Sequence, residues 1–201
     1  MLILASASPR RRELLTQAGY VFEVQASSLP EVPQAGEDGI RLATRLAREK
    51  AEAVFDSRRA GRAAHELLLV LGADTVVVCD GELLGKPADA ADAARMLRLL
   101  SGRTHQVITG VTLVAGSGPS PAVEVAAELT HVTMQTLSDL EISNYVATGE
   151  PMDKAGGYAI QGYAGRWIPR INGCYFNVVG LPLALVSSLL EGAQISAAQL
   201  P

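Results

Sequence analysis

Apolar runs that predict strands alternate with amphipathic segments that predict helices in the first half of the chain. Residues 2–5 are apolar and predict a short buried strand. Ser8 and Pro9 then predict a helix that continues to Gly19, because serine is a favoured N-cap and proline fits the first helical position. An alternating pattern over residues 20–25 predicts a second strand.

A long amphipathic helix is predicted to begin at Glu37 and Asp38, after a loop rich in Ser, Pro and Glu. Six positions are expected to form its buried face: Ile40, Ala43, Leu46, Ala47, Ala51 and Val54. Arg48 and Lys50 are expected to lie on its solvent face, because long basic side chains keep their charge in water.

The middle of the chain is rich in strand-forming residues. A β-rich run over 67–79 is predicted to be broken at 72–75, and Asp80-Gly81 predicts a two-residue hairpin turn. Further elements follow: a helix over 90–100, strands over about 106–115 and 123–135 that flank a Gly- and Pro-rich loop at 116–121, a helix from the capping box at 138–141 to Gly149, and a final helix from Pro182. Long hairpins argue against a purely parallel sheet, so we predict one mixed α/β domain over 1–201.

Composition and charge exclude several classes of protein. With 201 residues, 48% of them hydrophobic and 19% charged, the chain can bury a core and is not globally disordered. The net charge of −4 and 4% aromatic content argue against a nucleic-acid or anionic-membrane partner. Two distant cysteines do not form a disulfide framework, and the apolar N-terminal run is too short for a signal peptide. A cytoplasmic protein is the resulting expectation.

The segment Ser6-Ala7-Ser8-Pro9-Arg10-Arg11-Arg12 is the first candidate site, because it lies between a predicted strand and the start of a helix. Helix N-termini carry partial positive charge, so three arginines in the first turn are electrostatically unfavourable unless an anion is present. Phosphate fits this arrangement through arginine forks, backbone N–H groups and serine hydroxyls. A solvated basic helix end with an ordinary serine cap is an equally open alternative.

Asp74 is the second candidate, because an aspartate inside an apolar β-run must be paired, hydrogen-bonded or metal-bound if it is buried. It could hold a divalent cation or accept a proton from water. The alternative is an aspartate that forms a turn with its own backbone. Lys86 and Glu31 are its candidate partners, although both residue types are most often solvated at the surface.

A third candidate site lies over 153–162, where paired glycines follow Asp153 and Lys154. Glycines permit the backbone to approach a ligand, and the Gln161 amide can recognise a carbonyl or amide edge. The favoured alternative is a tight connection between strands, which explains the glycines without a ligand.

These segments, taken in order, resemble the Maf family of nucleoside triphosphate pyrophosphatases, also called septum formation inhibitors. The matching motifs are Leu-Ala-Ser-x-Ser-Pro-Arg-Arg at 4–11, Gly-Ala-Asp-Thr-Val at 72–76, Gly-Lys-Pro at 85–87, Leu-Ser-Gly at 100–102, the segment 145–162, and Val-Gly-Leu-Pro-Leu at 179–183. The resemblance implies an elongated mixed sheet with surrounding helices and a central cleft, as in inosine triphosphate pyrophosphatases. It also implies a possible homodimer.

The activity implied by the resemblance is hydrolysis of a nucleoside triphosphate between its α- and β-phosphates. Asp74 matches the family's general base, and Glu31 and Asp74 match positions that bind Mg²⁺ or Mn²⁺. Five residues match positions around the phosphates: Ser8, Arg11, Lys50, Lys86 and Lys154.

Three positions distinguish subclasses within the family. Arg10, Thr75 and Gln161 stand where the subclass for 7-methylguanosine triphosphate has Trp, Gln and Glu, so the chain resembles the subclass that acts on thymidine and uridine triphosphates. A role in nucleotide-pool cleaning or division arrest is implied as well. The alternatives are a pyrophosphatase for a modified purine nucleotide and a non-catalytic nucleotide-binding regulator of division.

Overall fold

A computed structural model describes residues 1–60, 66–118 and 120–193 of the chain. Pro119 of the predicted 116–121 loop lies outside these described residues. The helices and strands follow in chain order: β1 (Leu2–Leu4), α1 (Pro9–Gln17), β2 (Glu23–Val24), α2 (Gly39–Arg59), β3 (Leu68–Cys79), β4 (Glu82–Leu84), α3 (Ala90–Leu100), β5 (Thr104–Gly116), β6 (Ala122–Thr133), α4 (Asp139–Ala147), β7 (Arg170–Asn172), α5 (Tyr175–Val179) and α6 (Leu183–Gly192). Short 3₁₀ turns occupy Glu150–Asp153, Ala155–Gly157 and Tyr163–Trp167.

The strands form a seven-stranded mixed sheet. Its order is β2-β1-β3-β5-β6-β7, and β4 pairs with β3 outside this path. β1 runs parallel to β2 and β3, whereas β4 is antiparallel to β3 and β7 is antiparallel to β6. The prediction of a mixed α/β class is therefore confirmed.

The predicted break in the 67–79 run is wrong, because β3 continues through it. A Cβ atom at Gly72 would lie 2.2 Å from the Ala47 carbonyl oxygen, so this glycine allows α2 to approach the strand rather than ending it. The Asp80-Gly81 turn is confirmed: both residues have positive φ, at 48° and 82°, and Cys79 pairs with Glu82 across the hairpin.

Helix α2 lies directly on the sheet. Asp38 caps it by accepting a hydrogen bond from Arg41 N, as the predicted start requires, and a Cβ at Gly110 would lie 2.3 Å from the Ala43 carbonyl oxygen. Two predictions about its faces are wrong: Ile40 is 49% exposed, and Lys50 is only 6% exposed. Lys50 follows Leu46 by four residues, so helical periodicity itself places it in the buried stripe.

The other helices begin and end close to their predicted bounds. Ser8 caps α1, Pro182 precedes α6 at its N-cap, and both hydrogen bonds of the Ser138–Glu141 capping box are present in α4. The predicted second strand is shorter than expected, since only Glu23 and Val24 pair with β1. Within the described ranges no helix has the length and apolar character needed to cross a bilayer.

By its internal contacts the chain divides into two compact units. The first comprises the described residues of Met1–Asp74, of Thr109–Glu128 and of 180–193, and the second comprises Thr75–Ile108 and Leu129–Val179. Each unit has a buried apolar core: one includes Ile3, Phe55, Leu68 and Val114, and the other includes Leu97, Leu100, Tyr145 and Trp167. The expectation of a single domain over 1–201 stays a prediction.

His105 is a titratable side chain within the core of the second unit. It is 1% exposed, its Nε2 lies 2.7 Å from the Tyr158 hydroxyl, and its Nδ1 has no hydrogen-bond partner among the described residues. Burial disfavours the charged imidazolium and lowers the pKa of His105 to about 4.

Acidification is expected to destabilise the protein through His105. The unfolded chain binds a proton at this residue near its ordinary pKa of 6.5, whereas the folded chain binds it only near pH 4. Stability should therefore be full above pH 6.5 and fall by up to about 3 kcal/mol as the pH drops to 4. Urea unfolding across this range measures the slope. His105→Gln should reduce the dependence of the free energy of unfolding on pH, while the control His131→Gln, at an exposed site, should not. An equal pH dependence in the wild type and both variants would contradict the prediction.

Candidate functional site

Lys50, Asp74 and Glu31 meet in the first unit. The Lys50 ammonium donates hydrogen bonds of 2.5 Å to Asp74 Oδ1 and to Glu31 Oε1. The side chains of Lys50 and Asp74 are each 8% exposed, whereas that of Glu31 is 40% exposed. The structure therefore favours the paired carboxylate for Asp74 over the turn-forming aspartate, and its partner is Lys50.

The environment of Asp74 combines burial with nearby positive charge. Burial raises the pKa of Asp74 above that of an ordinary aspartate, and the positive charges of Lys50 and Arg11 act in the opposite direction. Burial likewise lowers the pKa of Arg11, against the effect of the Asp74 and Glu31 carboxylates. Asp74 is thus a carboxylate with raised basicity that is held beside two cationic side chains.

The N-terminus of α1 presents the predicted serine and arginine groups. Ser8 Oγ accepts a hydrogen bond from Arg11 N and caps the helix. The guanidinium of Arg11 is held in place from two sides, because Nη1 donates to Ser6 Oγ at 3.2 Å and Nε donates to the Gly180 carbonyl at 2.8 Å. Arg10 is partly exposed at the same helix end. Ser6 therefore orients Arg11, a contact that the sequence did not indicate.

The loop that carries Glu31 is fixed by Arg45 of α2. Arg45 donates to both Glu37 carboxylate oxygens, at 2.7 and 2.8 Å, and to the Val32 carbonyl at 3.0 Å. These hydrogen bonds lower the pKa of Glu37 to about 2. Glu37 also accepts from Gln34 N, so the loop and the helix share one hydrogen-bonded cluster next to Glu31.

The second unit brings the loop with Lys86 next to the segment that begins at Lys154. Gly156 N donates to the Gly85 carbonyl at 3.0 Å, and a Cβ at Gly157 would lie 3.5 Å from Pro87. Lys86 is exposed, and Lys154 donates to the Glu150 carbonyl at 2.6 Å and to Asp153 Oδ1 at 2.5 Å. The two lysine-bearing segments are therefore adjacent in the second unit, a proximity that the sequence did not predict.

Gln161 and Thr75 are the two predicted specificity residues of the second unit. Gln161 is exposed at the tip of a short turn in which Gly162 N donates to the Ala159 carbonyl. Thr75 lies in β3 directly after Asp74 and is partly buried. The structure therefore presents the Gln161 amide to solvent, and it places Thr75 within a strand rather than in a turn.

Glu31 and Asp74 are the two carboxylates of this centre that could hold a divalent cation. Among the described residues, no group of three or more His, Cys, Asp or Glu side chains is placed to hold a metal. Glu31 and Asp74 both accept hydrogen bonds from the Lys50 ammonium, which is the cation that the structure places between them. Mg²⁺ is usually held by one or two carboxylates together with water and phosphate oxygens, so these two side chains are of the type that such an ion binds.

Several contacts of the site were not predicted from the sequence. The burial of Lys50 was detectable, because its helical spacing from Leu46 and Val54 places it on the buried face. Arg45, Tyr145 and Glu150 carry no comparable signal, since their roles come from contacts with other segments. Arg45 donates to the Val32 carbonyl, and Glu150 accepts from Tyr145 and from Tyr163 N.

The polar centre around Asp74, with its cationic partners and a serine-capped helix start, defines a site suited to an anionic ligand. The family model described as "Maf-like protein" matches residues 1–193. The chain therefore belongs to the Maf family.

Curated relatives are similar over nearly their whole length. A dTTP/UTP pyrophosphatase from Koribacter versatilis is 54% identical over 194 residues, which are 96% of this chain and 95% of that protein. Proteins of the same name from Geobacter sulfurreducens and Salmonella typhimurium are 54% and 50% identical, and the matches cover 92% and 94% of this chain and 92% and 91% of those proteins.

Among solved structures, a nucleoside-triphosphatase (dITP/XTP pyrophosphatase) from Mycobacterium abscessus matches 68% of this chain and 75% of its own. The identity is 15% and the TM-score is 0.39, a value too low to establish a common fold.

Proposed function

We propose that this chain hydrolyses dTTP and UTP between the α- and β-phosphates and releases pyrophosphate and the nucleoside monophosphate. The observation that carries the proposal is the identity of about half of all residues with dTTP/UTP pyrophosphatases over more than nine-tenths of their length. The buried Asp74–Lys50 pair supports it, because hydrolysis requires a positioned proton acceptor.

Asp74 is proposed as the general base. A water molecule attacks the α-phosphorus, Asp74 accepts its proton, and the bond from the α-phosphorus to the bridging oxygen breaks, so that the electron pair leaves with pyrophosphate. Burial raises the pKa of Asp74, which makes the carboxylate a better proton acceptor. Lys50 orients the carboxylate through Oδ1.

Phosphate binding in the first unit is assigned to Ser8, Arg10 and Arg11. The arginines supply the forked donors that match phosphate oxygens, and the N-terminus of α1 adds backbone N–H groups. Ser6 and Gly180 fix the Arg11 guanidinium before any ligand arrives, which reduces the entropy lost on binding.

For the second unit we propose that Lys86 and Lys154 neutralise phosphate oxygens. Gln161 is proposed to recognise the base, because its amide offers a donor and an acceptor that match the N3–H and O4 edge of a pyrimidine. Thr75 and Arg10 are the accompanying specificity positions. A pyrophosphatase for a modified purine nucleotide such as 7-methylguanosine triphosphate remains the alternative function, and the substrate panel below distinguishes the two.

We also propose that Glu31 and Asp74 hold Mg²⁺ or Mn²⁺ together with the substrate. Such an ion, when bound, neutralises phosphate charge and helps to orient the reacting group. Homodimer formation, a cytoplasmic location, nucleotide-pool cleaning and division arrest stay predictions.

Pyrophosphate release across a panel of nucleotides tests the proposed function. With Mg²⁺ or Mn²⁺, dTTP and UTP should be hydrolysed with much higher kcat/KM than GTP, ITP or 7-methylguanosine triphosphate. Excess chelator should abolish the activity, and added metal should restore it. Preference for the modified purine would favour the alternative function, full activity in chelator would contradict the metal role, and nucleotide binding without any pyrophosphate release would indicate a non-catalytic regulator.

Replacing the proposed base tests the mechanism. Asp74→Asn keeps the size of the side chain and an oxygen that accepts from Lys50, so the fold should persist, whereas kcat with UTP should fall by about 10²- to 10⁴-fold because proton acceptance is lost. Circular dichroism checks the fold. Asp56→Asn, which changes an exposed aspartate on α2, serves as the control and should keep wild-type kcat. Near wild-type turnover by Asp74→Asn would exclude Asp74 as the base.

A further inference from the structure

We propose that Glu150 is a positioning residue for base selection, because its carboxylate fixes the turn that carries Gln161. This inference rests on the proposed function, in which Gln161 recognises the base. Glu150 is partly buried at the start of the first 3₁₀ turn, Glu150–Asp153, and lies eleven residues before Gln161 in the sequence.

The Glu150 carboxylate is a hydrogen-bond acceptor for two parts of the second unit. The Tyr145 hydroxyl donates to Oε1 at 2.8 Å, and Tyr163 N donates to Oε1 and Oε2 at 3.2 and 3.4 Å. An ionised carboxylate forms stronger hydrogen bonds than a neutral acceptor, so both contacts depend on its charge.

The backbone on both sides of Gln161 is hydrogen-bonded to the side chains of Glu150 and Tyr145. At the end of the turn, Tyr163 N is bound by Glu150, and at its start Ala159 N donates to the Tyr145 hydroxyl oxygen at 3.3 Å. Burial and the Glu150 carboxylate raise the pKa of Tyr145, so its hydroxyl keeps the proton that it donates to Glu150. Gln161 therefore lies between two backbone positions held by a single hydrogen-bond network.

The backbone of the turn also packs directly against Glu150. A Cβ atom at Gly162 would lie 2.3 Å from Glu150 Oε1, so a side chain at 162 would displace the carboxylate from its hydrogen bonds with Tyr145 and Tyr163. Gly162 immediately follows Gln161, so the carboxylate lies against the backbone next to the recognising amide.

A rigid aromatic cluster supports Glu150 and the turn. The rings of Tyr145 and Tyr163 stack at 5.7 Å between centroids, and Trp167 contacts both edge-on at 5.2 and 5.4 Å. Trp167 and Tyr145 are each 1% exposed. Because the phenol ring is fixed by packing, removal of its hydroxyl alone leaves the ring in place.

Lys154 also contacts Glu150, but it binds the main chain of that residue and not its carboxylate. Its ammonium donates to the Glu150 carbonyl oxygen, so the contact survives any change of the Glu150 side chain. A substitution of the carboxylate therefore loosens the Gln161 turn while it leaves the main-chain acceptor of Lys154 in place.

Base selectivity should depend on this network. A fixed amide rejects a base whose edge does not match, because the polar groups that the bound base covers are then left unpaired. A mobile amide can turn away or rotate to match another edge. Loss of the Glu150 carboxylate is thus expected to weaken selectivity more than turnover.

The experiment compares Glu150→Gln and Tyr145→Phe with the wild type. Glu150→Gln places an amide near Tyr163 N and removes the charge, and Tyr145→Phe removes only the hydroxyl. In both variants the ratio of kcat/KM for UTP to that for GTP should fall by about tenfold, with KM for UTP rising more than kcat falls. Hydrogen exchange at Ala159 N and Tyr163 N should become faster.

Asp38→Asn is the matched control. Asp38 is likewise a carboxylate that accepts a backbone hydrogen bond, from Arg41 N at 2.8 Å, but it caps α2 in the first unit. Because asparagine is as good an N-cap as aspartate, this variant should keep the wild-type stability and the wild-type selectivity ratio.

The outcomes separate the inference from the proposed function. Faster exchange at the turn with an unchanged selectivity ratio in both variants would overturn the inference. An equal loss of selectivity in Asp38→Asn would overturn it as well. If Glu150→Gln does not fold, the ratio in Tyr145→Phe decides. If the wild type shows no preference for UTP and dTTP, the proposed function fails. The positioning of the turn is tested separately: it is refuted if hydrogen exchange at Ala159 N and Tyr163 N is as slow in the two variants as in the wild type.

Discussion

The buried ion pair between Lys50 and Asp74 is the interaction on which the first unit's polar centre depends. Removing the Lys50 ammonium leaves the buried Asp74 carboxylate without the cation that donates to it, a change that typically costs about 3–5 kcal/mol. The two side chains meet because α2 and β3 are in direct contact, and Gly72 makes that contact possible. Packing therefore determines the site: a larger residue at 72 would push the helix, and with it the ammonium, away from the carboxylate.

Further groups are held around this pair by hydrogen bonds with both side chains and backbone carbonyls. Arg45 holds the Val32 carbonyl and Glu37, so the loop places Glu31 on the exposed side of Lys50. Ser6 and the Gly180 carbonyl hold Arg11, whose charge acts on Asp74. In the second unit, Glu150 and Tyr145 hold the Gln161 turn in the same manner. In both units, the residues predicted to contact substrate are thus oriented by others that the reaction itself does not require.

The sequence predicted the elements with strong local signals. The Ser8 cap, the Asp80-Gly81 turn and the capping box of α4 were all found, because each depends on neighbouring residues alone. The break in β3 was wrong, because Gly72 was interpreted as a turn residue when its role is close packing against Ala47. Lys50 was predicted to lie in solvent because it is a lysine, although its helical spacing indicates the buried face. Its partner Asp74 is 24 residues away in the sequence, so no local pattern indicated the ion pair. Contacts between distant segments, such as those of Arg45 and Glu150, have no local pattern.

A double-mutant cycle on the free energy of unfolding tests the central claim most directly. Urea unfolding is measured for the wild type, Lys50→Met, Asp74→Asn and the double variant. If the buried pair organises the centre, Lys50→Met alone should destabilise the protein by about 3–5 kcal/mol, and adding Asp74→Asn should recover a large part of that loss, since no buried carboxylate is then left unpaired. Additive effects of the two substitutions would contradict the account.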